Sequence, residues 1–379
     1  MQRNLGNVNF IQNKKSMNTI QKSIKIITMF TVMLFTVNSF AQEGNQIDTP
    51  EEIKEYIKHH LKDSHDFVFY IDGETGSHVG FPLPVIVYTS KGIVSFMSSE
   101  FHHSDDGHVI VEKGGVKLAK IHSKIFELNQ GVAHVKFDDH HHAVNAHKVL
   151  DFSITKSVVG MLLTSLLMFL AFSSLARGYK KGAIPTGFSR VLEPLVIYVR
   201  DEIARPNIGE KKYKKYMGFL LTVFFFIWIL NLLGLTPLGF NVTGNIAVTV
   251  CLAVFTFFIV QFSGNKDYWK HIFWMPGVPA PMKIILMPIE VLGMFTKPFS
   301  LLVRLFANIT AGHFVVMSLV ALMITMKVAF GPVVSTGMSL VLTLFISVIE
   351  ILVAFLQAFI FTMLSSLFIG MAVEEHDHH

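Results

Sequence analysis

Cysteine is almost absent from this sequence. The single residue, Cys251, excludes a disulfide framework, and its place in an apolar run reads as a small buried hydrophobe. Charge is scarce as well: Asp, Glu, Lys and Arg make up 16% of the 379 residues, and the formal net charge is only +5. Most of the basic residues lie in loops beside apolar runs, a placement that fits membrane topology better than nucleic-acid binding. No glycine-rich phosphate loop occurs, so no bound nucleotide is expected. What is abundant is hydrocarbon. Hydrophobic residues account for 51% of the chain, phenylalanine occurs 35 times and the mean hydropathy is +0.49. That is a membrane-protein composition.

The N-terminus reads as a secretory signal. Lys22 and Lys25 form a basic region, and Ile26 to Val37 is an apolar stretch too short to span a bilayer comfortably. "NSFAQ" then offers a small-residue cleavage site after Ala41. Met17 as the start would give a more compact signal, and an uncleaved anchor helix is the other reading. Residues 43–150 are polar by comparison. After a short helical stretch, "TPEEIKEYIKHHLK", come the runs "FVFYI", "LPVIVYT", "GIVSFM", "HVIVEKGGVKLAKI" and "VAHVKF". Turn residues such as Asp72-Gly73 and Gly114-Gly115 separate them. They predict a small β-rich domain exported across the membrane. Two histidine tracts, "FHHSDDGH" (101–108) and "DDHHHAVNAH" (138–147), have a composition that can bind metal. Their spacing matches no tetrahedral site, and a solvated polar loop is the plainer reading.

From residue 151 the chain becomes membranous. Ile154 to Ala176 is long enough to cross ~30 Å of hydrocarbon. The Lys- and Arg-rich stretches "ARGYKKGAIPTGFSR" and "RPNIGEKKYKKY" follow, which places 177–216 in the cytoplasm. An exported N-terminal domain requires the same orientation. "FSRVLEPLVIYVRDEIA" between them is amphipathic and is expected on the membrane surface. Met217 to Leu235 runs outward, Thr236 to Gly244 makes an uncharged outer turn, and Ile246 to Phe262 returns. Two very long apolar stretches close the chain, Met282 to Lys327 and Val333 to Val373. As a helix the first is ~70 Å long, more than twice the membrane core. Pro288 and Pro298 can kink it. Each stretch must therefore be broken in two or lie strongly tilted. The expected fold is mainly α and polytopic, with about five to six membrane helices, two of them long and strongly inclined, and a small β-rich exported domain.

A few polar residues interrupt these helices. Glu290, Lys297 and Arg304 recur every seven residues and share one helix face, with Asn308 one turn beyond. His313 lies on roughly the opposite side. Thr343, Ser347, Glu350 and Gln357 form a second stripe. A guanidinium at bilayer depth costs at least ~2.5–3.5 kcal/mol, so such groups face protein or a water-filled cavity and mark ion paths. Glu290 and Lys297 have a snorkelling role as the competing reading, and Thr343 and Ser347 suit simple packing. Arg304 cannot shuttle protons because it stays charged. It can strip them from others, since a nearby cation lowers a carboxylate's pKa by ~1–3 units. Glu350 and His313 have the chemistry of a proton path.

These residues resemble subunit a of ATP synthase. "RLFANITAGH" is similar to that family's Arg-Leu-x-x-Asn signature, and "EILVAFLQAFIFTMLSSLFI" to its final helix, with the Gln at Gln357. "PMKIILMPIEVLGMFTKPFSLLVRLF" matches the preceding segment, with Glu290 and Lys297 at the family's distances. The likeness covers about 150–375 and is most specific over 281–375. There are departures. Leu302 stands where the family often has a small residue. His313 and Glu350 are exchanged relative to some members. The acidic residues that some members carry in the outer loop are missing from "NLLGLTPLGFNVTGN". The resemblance implies a non-catalytic stator subunit that forms two proton half-channels against a rotating ring of hairpin subunits, the c-ring, each carrying a membrane carboxylate. It also implies subunit b of the peripheral stalk and membrane lipid as partners, no nucleic acid and no cofactor. Arg304 would separate the half-channels, and Asn308, His313, Glu350, Gln357, Glu290 and Lys297 would line or tune them. A polytopic metal or cation transporter with a His-rich exported domain is the alternative. It requires a second intramembrane ligand, and the spans hold only His313. A non-transporting assembly protein or exported sensor would give no reason for Arg304.

Overall fold

The computed structural model describes residues 63–71, 78–129, 131–132, 134–138, 143–180, 189–236, 240–275, 277–326 and 330–374. The expected signal, the helical stretch at 49–62 and the centre of the second histidine tract lie outside them. The chain divides into two compact units. In one, the described residues are 68–71, 78–81 and 236, and strands β1 (Asp66–Ile71) and β2 (His78–Pro82) pair as a two-stranded sheet. The other unit, 47–67 with 82–235 and 239–379, carries everything else.

Its β part begins with the hairpin of β3 (Pro84–Thr89) and β4 (Gly92–Met97), closed at Thr89 opposite Gly92. Val85 and Val87 alternate inward, as period two requires. The short strand β9 (Leu150–Asp151) adds on the far side of β3. A second sheet has the order β5 (Asp106–Lys113), β6 (Val116–Ile121), β7 (Lys124–Leu128), β8 (Ala146–Lys148). Gly114 and Gly115, at φ 60 and 74, make the two-residue turn between β5 and β6. The core is Val85, Val87, Phe101, Leu118 and Ile125 with their neighbours.

One expectation fails here. "VAHVKF" is not a strand and contributes only an isolated bridge at Phe137. The strand that pairs with β6 on the side away from β5 is "KIFEL", reached through His122-Ser123 at φ 49 and 62. Non-glycine residues in that left-handed turn carry no recognisable signal in the sequence.

Among the described residues, five helices are long and apolar enough to cross a membrane. These are α1 (Lys156–Lys180), α4 (Tyr213–Gly234), α5 (Ile246–Ser263) and the apolar spans of two long helices, α7 (Ala280–Thr325) and α8 (Pro332–Val373). Both long helices are continuous, at 46 and 42 residues, and α7 contains Pro288 and Pro298 without ending. Of the two ways to fit such lengths into ~30 Å of hydrocarbon, breaking is ruled out and inclination is left. In the most apolar 18-residue stretch of each helix, only 6% of α7 and 11% of α8 is buried, against 44% of α4, so these stretches of the long helices turn most of their surface outward. Cys251, on α5, is also exposed rather than buried. An apolar run in a membrane protein meets lipid, so its hydrophobicity does not imply protein packing.

Between α1 and α4 come α2 (Ser189–Tyr198), a π-helical turn (Val199–Ala204) and α3 (Arg205–Ile208). In the stretch expected on the membrane surface, Leu192, Val199 and Ile203 join the core formed with α4 and α8, while Val191 and Ile197 stay exposed. A last short helix, α6 (Lys266–Phe273), precedes α7.

Candidate functional site

α7 positions most of the residues that the sequence singles out. Ser300, Arg304, Ala307 and Ala311 lie on an exposed face, while Leu301 and Leu305 on the adjoining face are buried in the helical core. Among the described residues, the Arg304 guanidinium makes no hydrogen bond or ion pair. The small side chains a turn to either side leave its charge uncovered.

Two small cavities, each with a few polar groups in a largely apolar lining, flank Arg304 along this helix. The first, of about 20 Å³, is lined by Asn231 of α4, Thr243 of the following loop, Asn308 and Gly312 of α7, and Glu350 of α8. That volume suits a water molecule. The second, of about 10 Å³, is mostly apolar: Phe257, Val260, Met294, Pro298, Leu301 and Phe368 line it, with Thr256 and Gln261 of α5 and Lys297 of α7 as its polar groups. Lys297 and Asn308 are ~16 Å apart along the helix axis, with Arg304 between them.

The first cavity is built by packing. Phe355, just after Glu350 on α8, meets Phe224 and Trp228 of α4 edge-on, with ring centroids 5.7 and 5.9 Å away. These contacts set Glu350 beside Asn231. Gly312 lets α7 approach α8 closely: a Cβ there would lie 2.7 Å from Glu350 Oε1. The Thr243 hydroxyl donates to Asn231 Oδ1 at 2.9 Å. Asn231 Nδ2, Asn308 Nδ2 and Glu350 Oε1 are buried without a hydrogen-bond partner in the described protein. Each such group costs ~1–3 kcal/mol unless satisfied, so the cavity is chemically suited to hold water that bridges them.

The structure therefore brings Asn308 and Glu350 together at a cavity that Arg304 does not line. Gln357 is buried two turns beyond Glu350 and makes no hydrogen bond to Arg304. Lys297 lies in the second cavity with its ammonium 5.4 Å from the Phe368 ring centroid. Glu290 is half-buried and lines neither cavity. The backbone of His313 continues the helix after Gly312, and its side chain lies outside those described. Ser347 donates to the Thr343 carbonyl at 2.8 Å, a local helix bond. Sequence reasoning missed Asn231, Thr243 and Gly312. Asn231 was the legible one, an amide inside "FFFIWILNLLG" just as Asn308 is an amide inside α7.

The β part has ion pairs of its own, one buried and one reaching the surface at Asp151. Lys120 Nζ lies 2.8 Å from Asp66 Oδ2, and His65 Nε2 lies 2.8 Å from Asp151 Oδ2. Burial works to raise the pKa of Asp66, but the Lys120 ammonium outweighs it and holds that carboxyl below the usual range. Asp151 is held down in the same way by His65 and Ser153 against the opposing effect of burial. Glu127 is held down by Ser90 and His147, again against burial.

Two family matches fit this division. Residues 158–370 match the ATP synthase A chain family, and residues 56–152 match a domain of unknown function (DUF8433). ATP synthase subunit a 2 of Chlorobaculum tepidum is 46% identical over 237 residues, 60% of this chain and 66% of that protein. ATP synthase subunit a of Chloroherpeton thalassium is 42% identical over 269 residues, 64% of this chain and 78% of the relative. ATP synthase subunit a of an Anaeromyxobacter species is 41% identical over 296 residues, 73% of this chain and 70% of the relative. Neither the families nor these relatives speak for a metal or cation transporter. With more than half of its length matched to one family and relatives above 40% identity, the chain belongs to the ATP synthase A chain family.

Proposed function

We propose that this chain is the stator subunit of an ATP synthase membrane sector and conducts protons through two half-channels divided by Arg304. It performs no catalysis itself. The observation that carries this reading is the exposed Arg304 on one helix between a cavity lined by Asn231, Thr243, Asn308 and Glu350 and a second that holds Thr256, Gln261 and Lys297. The outward apolar surface of α7 and α8 is the contact face for a ring of c subunits, each bearing a membrane carboxylate. Ser300, Ala307 and Ala311 leave room for ring helices to pass Arg304 closely. A proton enters the first cavity from the outer side, passes Asn231, Asn308 and Glu350 with His313 as partner, and loads a ring carboxylate. After nearly a full turn of the ring, that carboxylate meets Arg304. The fixed cation stabilises the ionised form, and the proton leaves by the second cavity past Lys297, with Glu290 nearer the inner interface and Gln357 behind Arg304. Subunit b of the peripheral stalk holds the chain against the ring's torque. Residues 1–41 are removed as a signal, residues 43–150 lie in the periplasm, 151–379 form the inner-membrane domain and the C-terminus is cytoplasmic.

Arg304→Ala tests this. ATP-driven proton pumping in inverted vesicles is expected to vanish while the complex still assembles. Arg304→Lys is expected to fail largely as well, because a compact ammonium lacks the planar fork of the guanidinium. Normal pumping by the Ala variant would overturn the assignment.

A further inference from the structure

One cluster outside the polar path remains unused by this function. It joins the start of the described N-terminal domain to the loop that walls the outer cavity. Asp63 is its centre. Its carboxylate accepts three hydrogen bonds, from the Thr155 hydroxyl at 2.9 Å, the Ser157 N–H at 3.0 Å and the Asn245 amide at 3.2 Å. Thr155 and Ser157 flank the first residue of α1, and Asn245 is the N-cap of α5. One carboxylate thus serves two helix N-termini, where negative charge is favoured. Asn245 faces both ways: its Oδ1 accepts from the Ala247 N–H at 3.0 Å while its Nδ2 reaches Asp63.

A second contact fixes the other end of the same loop. Phe67 packs on Phe240 with ring centroids 5.3 Å apart. Phe240 and Val242 press on α1 at Gly160, where a Cβ would lie 2.9 and 2.8 Å from their side chains. Thr243, between these anchored residues, is 4% exposed and holds Asn231 at the cavity wall.

We propose that Asp63 and Phe67 make the N-terminal domain a clamp on loop 240–245, so that the domain positions Thr243 and Asn231 and sets how readily protons enter the outer half-channel. This rests on the proton-channel reading above. The loop has no acidic residue to fix its own place, and the clamp supplies the missing restraint from another part of the chain. Asp63 and Phe67 are positioning residues and touch no transported proton. Lys156 places its ammonium 5.8 Å from the Phe67 ring centroid, beside the cluster.

The test uses membrane vesicles containing the whole complex, with ATP synthesis measured at fixed membrane potential while the outer proton concentration is varied. Asn245→Asp keeps the helix cap, because Asp caps as well as Asn, but removes the donor and sets a carboxylate against Asp63. The outer proton concentration for half-maximal rate is expected to rise roughly three- to tenfold, about the worth of one hydrogen bond. The maximal rate and the amount of complex should stay near wild type. Combining Asp63→Asn with Asn245→Asp restores a donor facing an acceptor with the roles reversed, and should return the midpoint towards wild type. An unchanged midpoint in Asn245→Asp, or an exchange no better than the single change, overturns the clamp. So does an effect confined to the amount of complex, which would mark a structural tie only. Arg304→Ala in the same vesicles keeps the two ideas apart. If it pumps, the stator reading has failed. If it is dead while Asn245→Asp keeps its midpoint, only the clamp has failed.

Discussion

A cation that never loses its charge and a carboxyl group proposed to gain and lose a proton need opposite surroundings. Arg304 is given an exposed face bordered by small residues, and Glu350 a polar cavity closed by Gly312. The glycine is a sensitive point. Gly312→Ala places a methyl group 2.7 Å from Glu350 Oε1, a contact that must relax. The flexible end of Glu350 can yield, so the subunit should assemble normally. The group displaced is the one proposed to relay the proton, so ATP-driven pumping should fall several-fold, as small misplacements of reacting groups do. Full pumping with normal assembly would show that this contact does not matter. The neighbouring His313 leads to a second test. An acid and an imidazole that act as a pair should tolerate exchange better than loss. His313→Glu with Glu350→His is expected to pump faster than either single change, and a double variant no better than the worse single one would separate the two sites.

The helices carry their division of labour along their length. The first half of α8 is mostly exposed, whereas Ala354, Ala358, Ser365, Ser366 and Gly370 of the second half are buried against α4 and the α2–α3 segment. Small side chains permit this approach. At Gly370 it is closest: a Cβ would lie 2.0 Å from the Asn207 carbonyl oxygen, and Asn207 Nδ2 donates to Ser366 Oγ at 2.9 Å. Backbone cannot swing aside as a side chain can. Gly370→Ala should therefore lower the melting temperature of the purified complex and the amount of subunit in membranes, whereas Gly337→Ala, with nothing within 4 Å, should change neither. Equal behaviour of the two variants would contradict this packing. The same scale explains what the sequence could reveal. The membrane helices were legible because twenty apolar residues have few other uses, and Arg304 and Glu350 because charge inside such runs is costly. The small-residue face that covers α2 and α3 was not legible, because apolar surface in a membrane chain reads alike whether lipid or protein covers it. Strand β7 was hidden for a different reason, a turn made by His122-Ser123 in place of the usual glycine or asparagine.

For the molecule as a whole, the proposed topology puts the β domain on the side from which protons are drawn. A domain there must keep its buried carboxylates ionised in an acidic environment. Asp66 meets that need through Lys120, both about 95% buried, while the more exposed Asp151 is paired with the buried His65. Depressed carboxyl pKa values contribute stability that is present above the ordinary Asp value of 3.8 and is lost as pH falls through the lower folded value. Protease digestion of the domain from its exposed face should therefore stay slow through neutral and mildly acidic pH, and speed up only below about pH 4. Lys120→Met should reverse the slope. It leaves Asp66 buried without its close cation, at a cost of roughly 3–5 kcal/mol at neutral pH. Burial then dominates and raises the Asp66 pKa, so protonation becomes easier in the folded domain than in the unfolded chain. The variant should be cut rapidly at pH 7 and become more resistant as the pH is lowered towards about 5, where the uncharged acid no longer penalises folding. Parallel pH profiles for wild type and Lys120→Met would mean that Lys120 does not hold Asp66 ionised, and the domain's acid tolerance would then have to come from somewhere other than this pair.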